Sequence, residues 1–265
     1  MPDWIAIILL GVVEGLTEFL PVSSTGHLLL AQQWLPMQTD FFNTFIQCGA
    51  LLAVLMVFWR RLGGLARDWH QREAQQFAGK LGLAFLITSV GGLAVKAIGF
   101  TLPHDPVPVA LATLIGGILI LVIERWLHGR EPRDEVTWRV ALALGLAQLV
   151  AGVFPGTSRS GATILTAVAF GVRRPAATEF SFLLGIPTLF AASGLEFYSL
   201  WRLGAAGNSI DWPMLLLGTA ASAASAFAVV KWLLRFVQTH TFYVFGWYRI
   251  LLGGAILLVY WPQRS

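Results

Sequence analysis

Glu14 and Glu18 lie one helical turn apart in an otherwise apolar stretch, so a helix would put both on one face. A carboxylate inside a membrane costs at least about 2.5 kcal/mol. Two on one face also repel, unless a cation lies between them or one keeps its proton. A cation held between Glu14 and Glu18, or a proton kept by one of them, would relieve the pair. Directly downstream, Pro21-Val22-Ser23-Ser24-Thr25-Gly26-His27 interrupts the apolar run. Ser or Thr caps a helix that restarts after a proline, and a fresh N-terminus offers N–H groups and partial positive charge to phosphate. Ser24 and His27 are again one turn apart. Such a pair beside carboxylates supports nucleophilic displacement. Ser24 is the first choice of nucleophile, with His27 assisting proton transfer; His27 as nucleophile, or as activator of water, stays open. The plainer alternative is a capping run with a structural histidine, which explains less beside two intramembrane acids.

A second interruption, Pro155-Gly156-Thr157-Ser158-Arg159-Ser160-Gly161, supplies a cation. Guanidinium matches phosphate in a bidentate way, and an arginine at membrane depth needs an anionic partner. Arg159 is therefore expected to hold phosphate and to stabilise transition-state charge, or to bridge to Glu14 or Glu18 in the resting state. Ser23, Thr25, Ser158, Ser160, Thr163 and Gln47 complete the expected substrate-binding set. Arg249 is expected to pair with an acid, Glu179 or Glu196.

The elements that carry these residues belong to a membrane protein. The 265-residue chain is 56% hydrophobic and 12% charged, with a mean hydropathy of +0.70; soluble domains average about 25% charged. A net charge of +4 could suggest nucleic acid, but the basic residues sit in short clusters between apolar segments, which is how membrane topology is encoded. Nucleic acid is excluded as a partner. A single cysteine, Cys48, leaves no internal disulfide and no multi-cysteine metal site. The start of the chain carries Asp3 and no basic region, unlike a cleaved signal peptide.

Apolar segments at 41–59, 82–100, 108–124, 176–200, 213–233 and 243–261 predict six membrane-spanning helices. Two more, 4–35 and 140–171, are each broken at the proline runs above. Proline ends a helix, and non-helical backbone at membrane depth survives only where protein or a wet cavity satisfies it. Both are expected to be re-entrant helix–loop–helix hairpins. One set of loops carries Arg60, Arg61, Arg67, Arg72 and Lys80, then Arg125, Arg130, Arg133 and Arg139, then Arg173 and Arg174, then Lys231 and Arg235; the opposite side carries Arg202 and Arg264. The first set is thus expected to be cytoplasmic.

The broken segments also align with each other without a gap. Gly11-Val12-Val13-Glu14 lies over Gly145-Leu146-Ala147-Gln148, Leu20-Pro21 over Phe154-Pro155, and Ser24 over Ser158. The expected fold is a single all-α polytopic membrane domain spanning 1–265. Its inverted repeats cover about 1–125 and 135–265, with a site near the midplane where the hairpin tips meet.

The stretch from Glu14 to His27, EGLTEFLPVSSTGH, resembles the signature of the undecaprenyl-pyrophosphate phosphatase family, the BacA-type bacitracin-resistance proteins. Pro155 to Thr163 is similar to that family's second motif, and Glu179 to Leu184 to a third. The resemblance implies an undecaprenyl-diphosphate phosphatase that hydrolyses a phosphoanhydride, releases undecaprenyl phosphate for peptidoglycan synthesis and confers bacitracin resistance. It also implies a divalent cation, Mg²⁺ or Ca²⁺, which Glu14 and Glu18 are expected to hold through oxygen ligands, a bacterial inner-membrane location and an active site open to the outer side. The expected partners are the polyprenyl pyrophosphate substrate, membrane lipid and a second copy of the chain as a homodimer. The alternative is a transporter or flippase of a lipid phosphate, which the inverted-repeat architecture would suit.

Overall fold

The computed structural model describes residues 1–36, 38–99, 105–129, 131–202 and 210–260; Arg130 and Arg264 of the charge pattern lie outside them. Among the described residues the chain is all helical: α1 (Asp3–Thr17), α2 (Ser24–Ala31), α3 (Asp40–Arg67), α4 (Arg72–Ala97), α5 (Pro106–Trp126), α6 (Trp138–Val153), α7 (Arg159–Ala169), α8 (Arg174–Arg202), α9 (Trp212–Phe236) and α10 (Tyr243–Tyr260). Six of them, α3, α4, α5, α8, α9 and α10, are long and apolar enough to cross a bilayer. The protein is a multi-pass membrane protein. Leu86, Val90 and Leu93 on α4 and Ile115, Leu119 and Val122 on α5 are exposed, a surface that hydrocarbon covers without cost and water does not.

Two helices outrun their apolar segments. α3 continues through Arg60 and Arg61, and α4 begins at Arg72, ten residues ahead of the apolar segment at 82. Hydropathy marks the membrane edge, whereas arginine, glutamate and glutamine are good helix formers and let the helix continue into water. The projecting end is tied down: Lys80 reaches Glu135 at 2.9 Å, and Arg61 reaches Glu179 at 2.9 Å. Arg173 pairs with Asp134, and Arg174 with the buried Glu124, at the same end.

The other four helices form two broken pairs, α1–α2 and α6–α7. Each second helix starts on a serine cap. Ser23 accepts a hydrogen bond from the Gly26 N–H, and Ser158 accepts one from the Gly161 N–H. These serines, at φ 74° and 68°, are the non-glycine residues with positive φ among those described. That conformation costs an L-residue about 1–2 kcal/mol and persists only where its surroundings impose it, often at functional sites. The caps correct the ungapped alignment. Ser158 matches Ser23 rather than Ser24, because the second break is one residue longer. Gly156, at φ 95°, accommodates the extra length where a side chain would strike the Val109 carbonyl.

Small residues set how closely the helices approach. A Cβ on Gly11 of α1 would collide with the Gly218 carbonyl of α9, and one on Gly145 of α6 would lie 2.7 Å from the Ala84 carbonyl of α4. α5 and α10 meet in the same way, Gly117 against the Gly246 carbonyl at 2.7 Å and Gly253 against the Ala110 carbonyl at 2.8 Å.

Candidate active site

The two breaks meet around Glu18. It follows the last turn of α1, its N–H still bonded to the Glu14 carbonyl at 2.9 Å. One carboxylate oxygen, Oε2, accepts the Ser24 hydroxyl at 2.8 Å; the other, Oε1, accepts Arg159 Nη2 at 3.1 Å. With the corrected register, Ser24 and Arg159 occupy equivalent positions, the first residues of α2 and α7. One buried acid thus joins a nucleophile candidate from one break to a cation from the other.

Arg159 is held from several sides. Its guanidinium stacks over the Phe19 ring at 5.2 Å, and Nη1 lies 3.5 Å from the Ser181 carbonyl of α8. Its Nε is buried with no hydrogen-bond partner. Gly185 of α8 makes the space it occupies: a Cβ there would lie 2.5 Å from Nη1 and 3.0 Å from Cζ. Ser181, Gly185 and Phe19 belong to the site, although nothing in their types announced it. The signal available in the sequence was the stretch Glu179–Leu184, which points to α8 but not to which residues face inward.

Ser158, Ser160 and Thr163, expected as phosphate contacts, are turned into the protein. Ser160 donates to the Leu20 carbonyl at 2.8 Å and lies 3.1 Å from the Glu18 carbonyl, binding the second break to the first. Ser158 caps α7, and Thr163 meets the Ser181 hydroxyl at 2.5 Å. Ser23 is buried as the α2 cap, while Thr25 is exposed on that helix's first turn.

His27 does not pair with Ser24. Its Nδ1 donates to the Ser23 carbonyl at 2.7 Å, which fixes the tautomer. Nε2 then accepts from the Tyr248 hydroxyl of α10 at 2.6 Å, and the two rings stack. Both nitrogens are engaged, so the partner of Ser24 is Glu18. His27 and Tyr248 line an apolar groove of about 480 Å³ together with Leu16, Leu20, Val229 and Trp232.

Arg249 pairs with neither Glu179 nor Glu196. It is 1% exposed, and its five hydrogen bonds all go to backbone carbonyls, those of Pro21, Ala112, Thr113, Gly156 and Thr157. The loops of both breaks leave carbonyls that no helix satisfies, and this side chain serves them together. Glu179 is taken by Arg61.

Glu14 is fully buried, beside Glu18, Arg159 and the Gln47 amide, and neither of its oxygens makes a well-formed hydrogen bond. Carboxylates in that condition are charged groups awaiting a cation or a proton. The donor set is all oxygen, the preference of Mg²⁺ and Ca²⁺, and Glu18 has acceptor capacity to spare, since an ionised carboxylate offers about four lone-pair sites. The residues therefore fit a hard divalent cation, with water or substrate phosphate completing the shell; no group of three His, Cys, Asp or Glu ligands exists among the described residues.

The sequence also matches known proteins over nearly its whole length. The family model described as bacitracin resistance protein BacA covers residues 7–255. The chain belongs to the BacA family. An undecaprenyl-diphosphatase of Rhizobium etli (strain CIAT 652) is 51% identical over 257 residues, covering 96% of each chain. An undecaprenyl-diphosphatase of Xanthomonas euvesicatoria pv. vesicatoria (strain 85-10) is 49% identical over 259 residues, 97% of each. Within this BacA-family chain the Glu18-centred cluster is where the two proline-broken stretches come together.

Proposed function

We propose that this protein is an undecaprenyl-diphosphatase of the bacterial inner membrane, hydrolysing undecaprenyl pyrophosphate to undecaprenyl phosphate and inorganic phosphate. That reaction regenerates the carrier lipid of peptidoglycan synthesis and underlies bacitracin resistance. The observation that carries the reading is Glu18 gripping Ser24 on one oxygen and Arg159 on the other.

In the mechanism that follows, Ser24 Oγ attacks the terminal phosphorus, its proton passes to Glu18 Oε2, and the lipid phosphate departs. Water then releases phosphate from the serine. Arg159 turns its guanidinium, including the unpartnered Nε, to the phosphate oxygens, and the first N–H groups of α2 and α7 face the same charge. A divalent cation at Glu14 and Glu18 would neutralise charge on the phosphates. His27 and Tyr248 position the lipid where the apolar groove meets the break, and the groove receives part of the polyprenyl chain.

The two broken pairs are read as re-entrant hairpins. At 15 and 16 residues, α1 and α6 are about 22–24 Å long, short of a hydrocarbon core of about 30 Å. Inverted repeats are supported by matching contacts: α1 lies on α9 in the register in which α6 lies on α4, with Gly11–Gly218 and Gly145–Ala84 displaced by one constant interval. With the basic loops cytoplasmic, α1–α2 enters from outside and the active site opens outward. That repeat would also suit a lipid carrier. Lipid flip-flop in proteoliposomes tests for transport apart from hydrolysis.

Ser24→Ala should abolish turnover while substrate lipid still binds. Substantial residual phosphate release from Ser24→Ala would remove the serine from the mechanism.

A further inference from the structure

Ser222 of α9 has no part in the mechanism above. It is fully buried, and its hydroxyl has no hydrogen-bond partner. It is wedged at the junction of three helices. A Cβ on Gly15 of α1 would strike its carbonyl, and one on Gly49 of α3 would lie 2.9 Å from its own Cβ. Glu14 of α1 and Gln47 of α3, which precede those glycines by one and two residues, lie beside one another, and neither Glu14 oxygen makes a well-formed hydrogen bond.

The α6–α4 pair builds the matching junction with different chemistry. In the register that sets Gly145 on Ala84 as Gly11 sits on Gly218, Gln148 takes the place of Glu14 and Thr88 the place of Ser222. There the amide nitrogen is matched, although Gln148 Oε1 is not: Gln148 Nε2 donates to Thr88 Oγ1 at 3.1 Å and to Thr188 Oγ1 at 3.3 Å. An amide NH₂, the positive end of a dipole, sits between oxygen acceptors. At the α1–α9 junction that amide is replaced by a carboxylate, with the Gln47 side chain of α3 beside it. Buried polar atoms that make no well-formed hydrogen bond are costly, and a cation where the α6–α4 junction has its NH₂ would satisfy Glu14 and Ser222 together.

We infer that Ser222 is a further oxygen ligand of the cation held by Glu14 and Glu18, so that the metal ties α9 to α1 and α3. The inference rests on the cation reading given above. It requires the metal to bind the protein with no lipid present, because the ligand set is already built from three packed helices.

The test uses the full-length protein in detergent, stripped of divalent ions and free of substrate. Thermal unfolding is followed as Ca²⁺ or Mg²⁺ is titrated. Wild type should be stabilised, and Glu14→Gln should lose that response. Ser222→Thr and Ser222→Val are nearly equal in shape and differ by the hydroxyl. Threonine, the residue at the matching position of α4, should keep an apparent affinity close to that of wild type. Valine should weaken it by about tenfold or more, the scale on which even a ligand's supporting group counts. Coincident titrations for the threonine and valine variants overturn the role of Ser222. A wild type that ignores both ions overturns the cation reading itself. Should Ser222→Val fail to fold, Ser222→Ala replaces it, with the same two outcomes.

Discussion

Replacing Gly185 with alanine should disable catalysis while leaving the protein folded. The new Cβ would stand 2.5 Å from Arg159 Nη1 and 3.0 Å from Cζ. Non-bonded heavy atoms rest at about 3.5–4.0 Å, so the guanidinium must retreat by roughly 1 Å. It cannot do so freely, because Phe19 lies against its face at 5.2 Å and Glu18 holds Nη2 at 3.1 Å. The contact to Glu18 yields first. A hydrogen bond to a charged group is worth about 1.5–3 kcal/mol, which converts to about ten- to a hundredfold in kcat/KM. A displacement of about 1 Å in a positioning group is expected to cost a similar factor. The assay is initial-rate phosphate release against undecaprenyl pyrophosphate, with Gly194→Ala as control. Gly194 lies on the same helix, and its Cβ would meet nothing within 4 Å. If Gly185→Ala and Gly194→Ala agree within about threefold, the placement of Arg159 against α8 is wrong.

Other substitutions test the rest of the account. Glu18→Gln keeps the shape of the site but removes the proton acceptor for Ser24, and should lower kcat by about 10²–10⁴ in the same assay. Arg249→Met strands five buried carbonyl contacts and should destabilise the protein by at least about 3 kcal/mol, read as a loss of thermal stability in detergent; a variant as stable as wild type contradicts the clamp. Gly15→Ala places a Cβ against the Ser222 carbonyl and the Ser225 hydroxyl and should cost about 1–3 kcal/mol by overpacking, whereas Gly63→Ala, with open space around it, should be neutral or slightly stabilising. Glu124→Ala leaves Arg174 and the Phe242 N–H without their acceptor and should cost about 3–5 kcal/mol, again read from thermal unfolding.

Much of this architecture was legible in the residues. Length and hydropathy gave the six spans, because the bilayer imposes one simple rule on every segment. Pro21 and Pro155 marked the breaks, since proline acts locally. Glu14, Glu18, Ser24 and Arg159 stood out because charge and hydroxyl chemistry is conspicuous in apolar surroundings. What escaped was decided by contacts between distant segments. Gly185 and Ser181 matter only because α7 packs on α8, and Ser222 only because α9 meets α1. Arg249 looked in need of an acid, yet backbone carbonyls left over at two helix breaks answer a guanidinium equally well. His27 was within sequence reach of Ser24, but the rotation of α2 sends it to Tyr248 on α10. The one-residue slip between Ser24 and Ser158 followed from Gly156, whose positive φ absorbs a residue that an ungapped alignment could not see.

The most direct test of the account is phosphate release from undecaprenyl pyrophosphate by the purified protein, with and without Mg²⁺ or Ca²⁺, beside Arg159→Ala. The account predicts cation-dependent release that the substitution abolishes. Folded wild-type protein that releases no phosphate under either cation would contradict it.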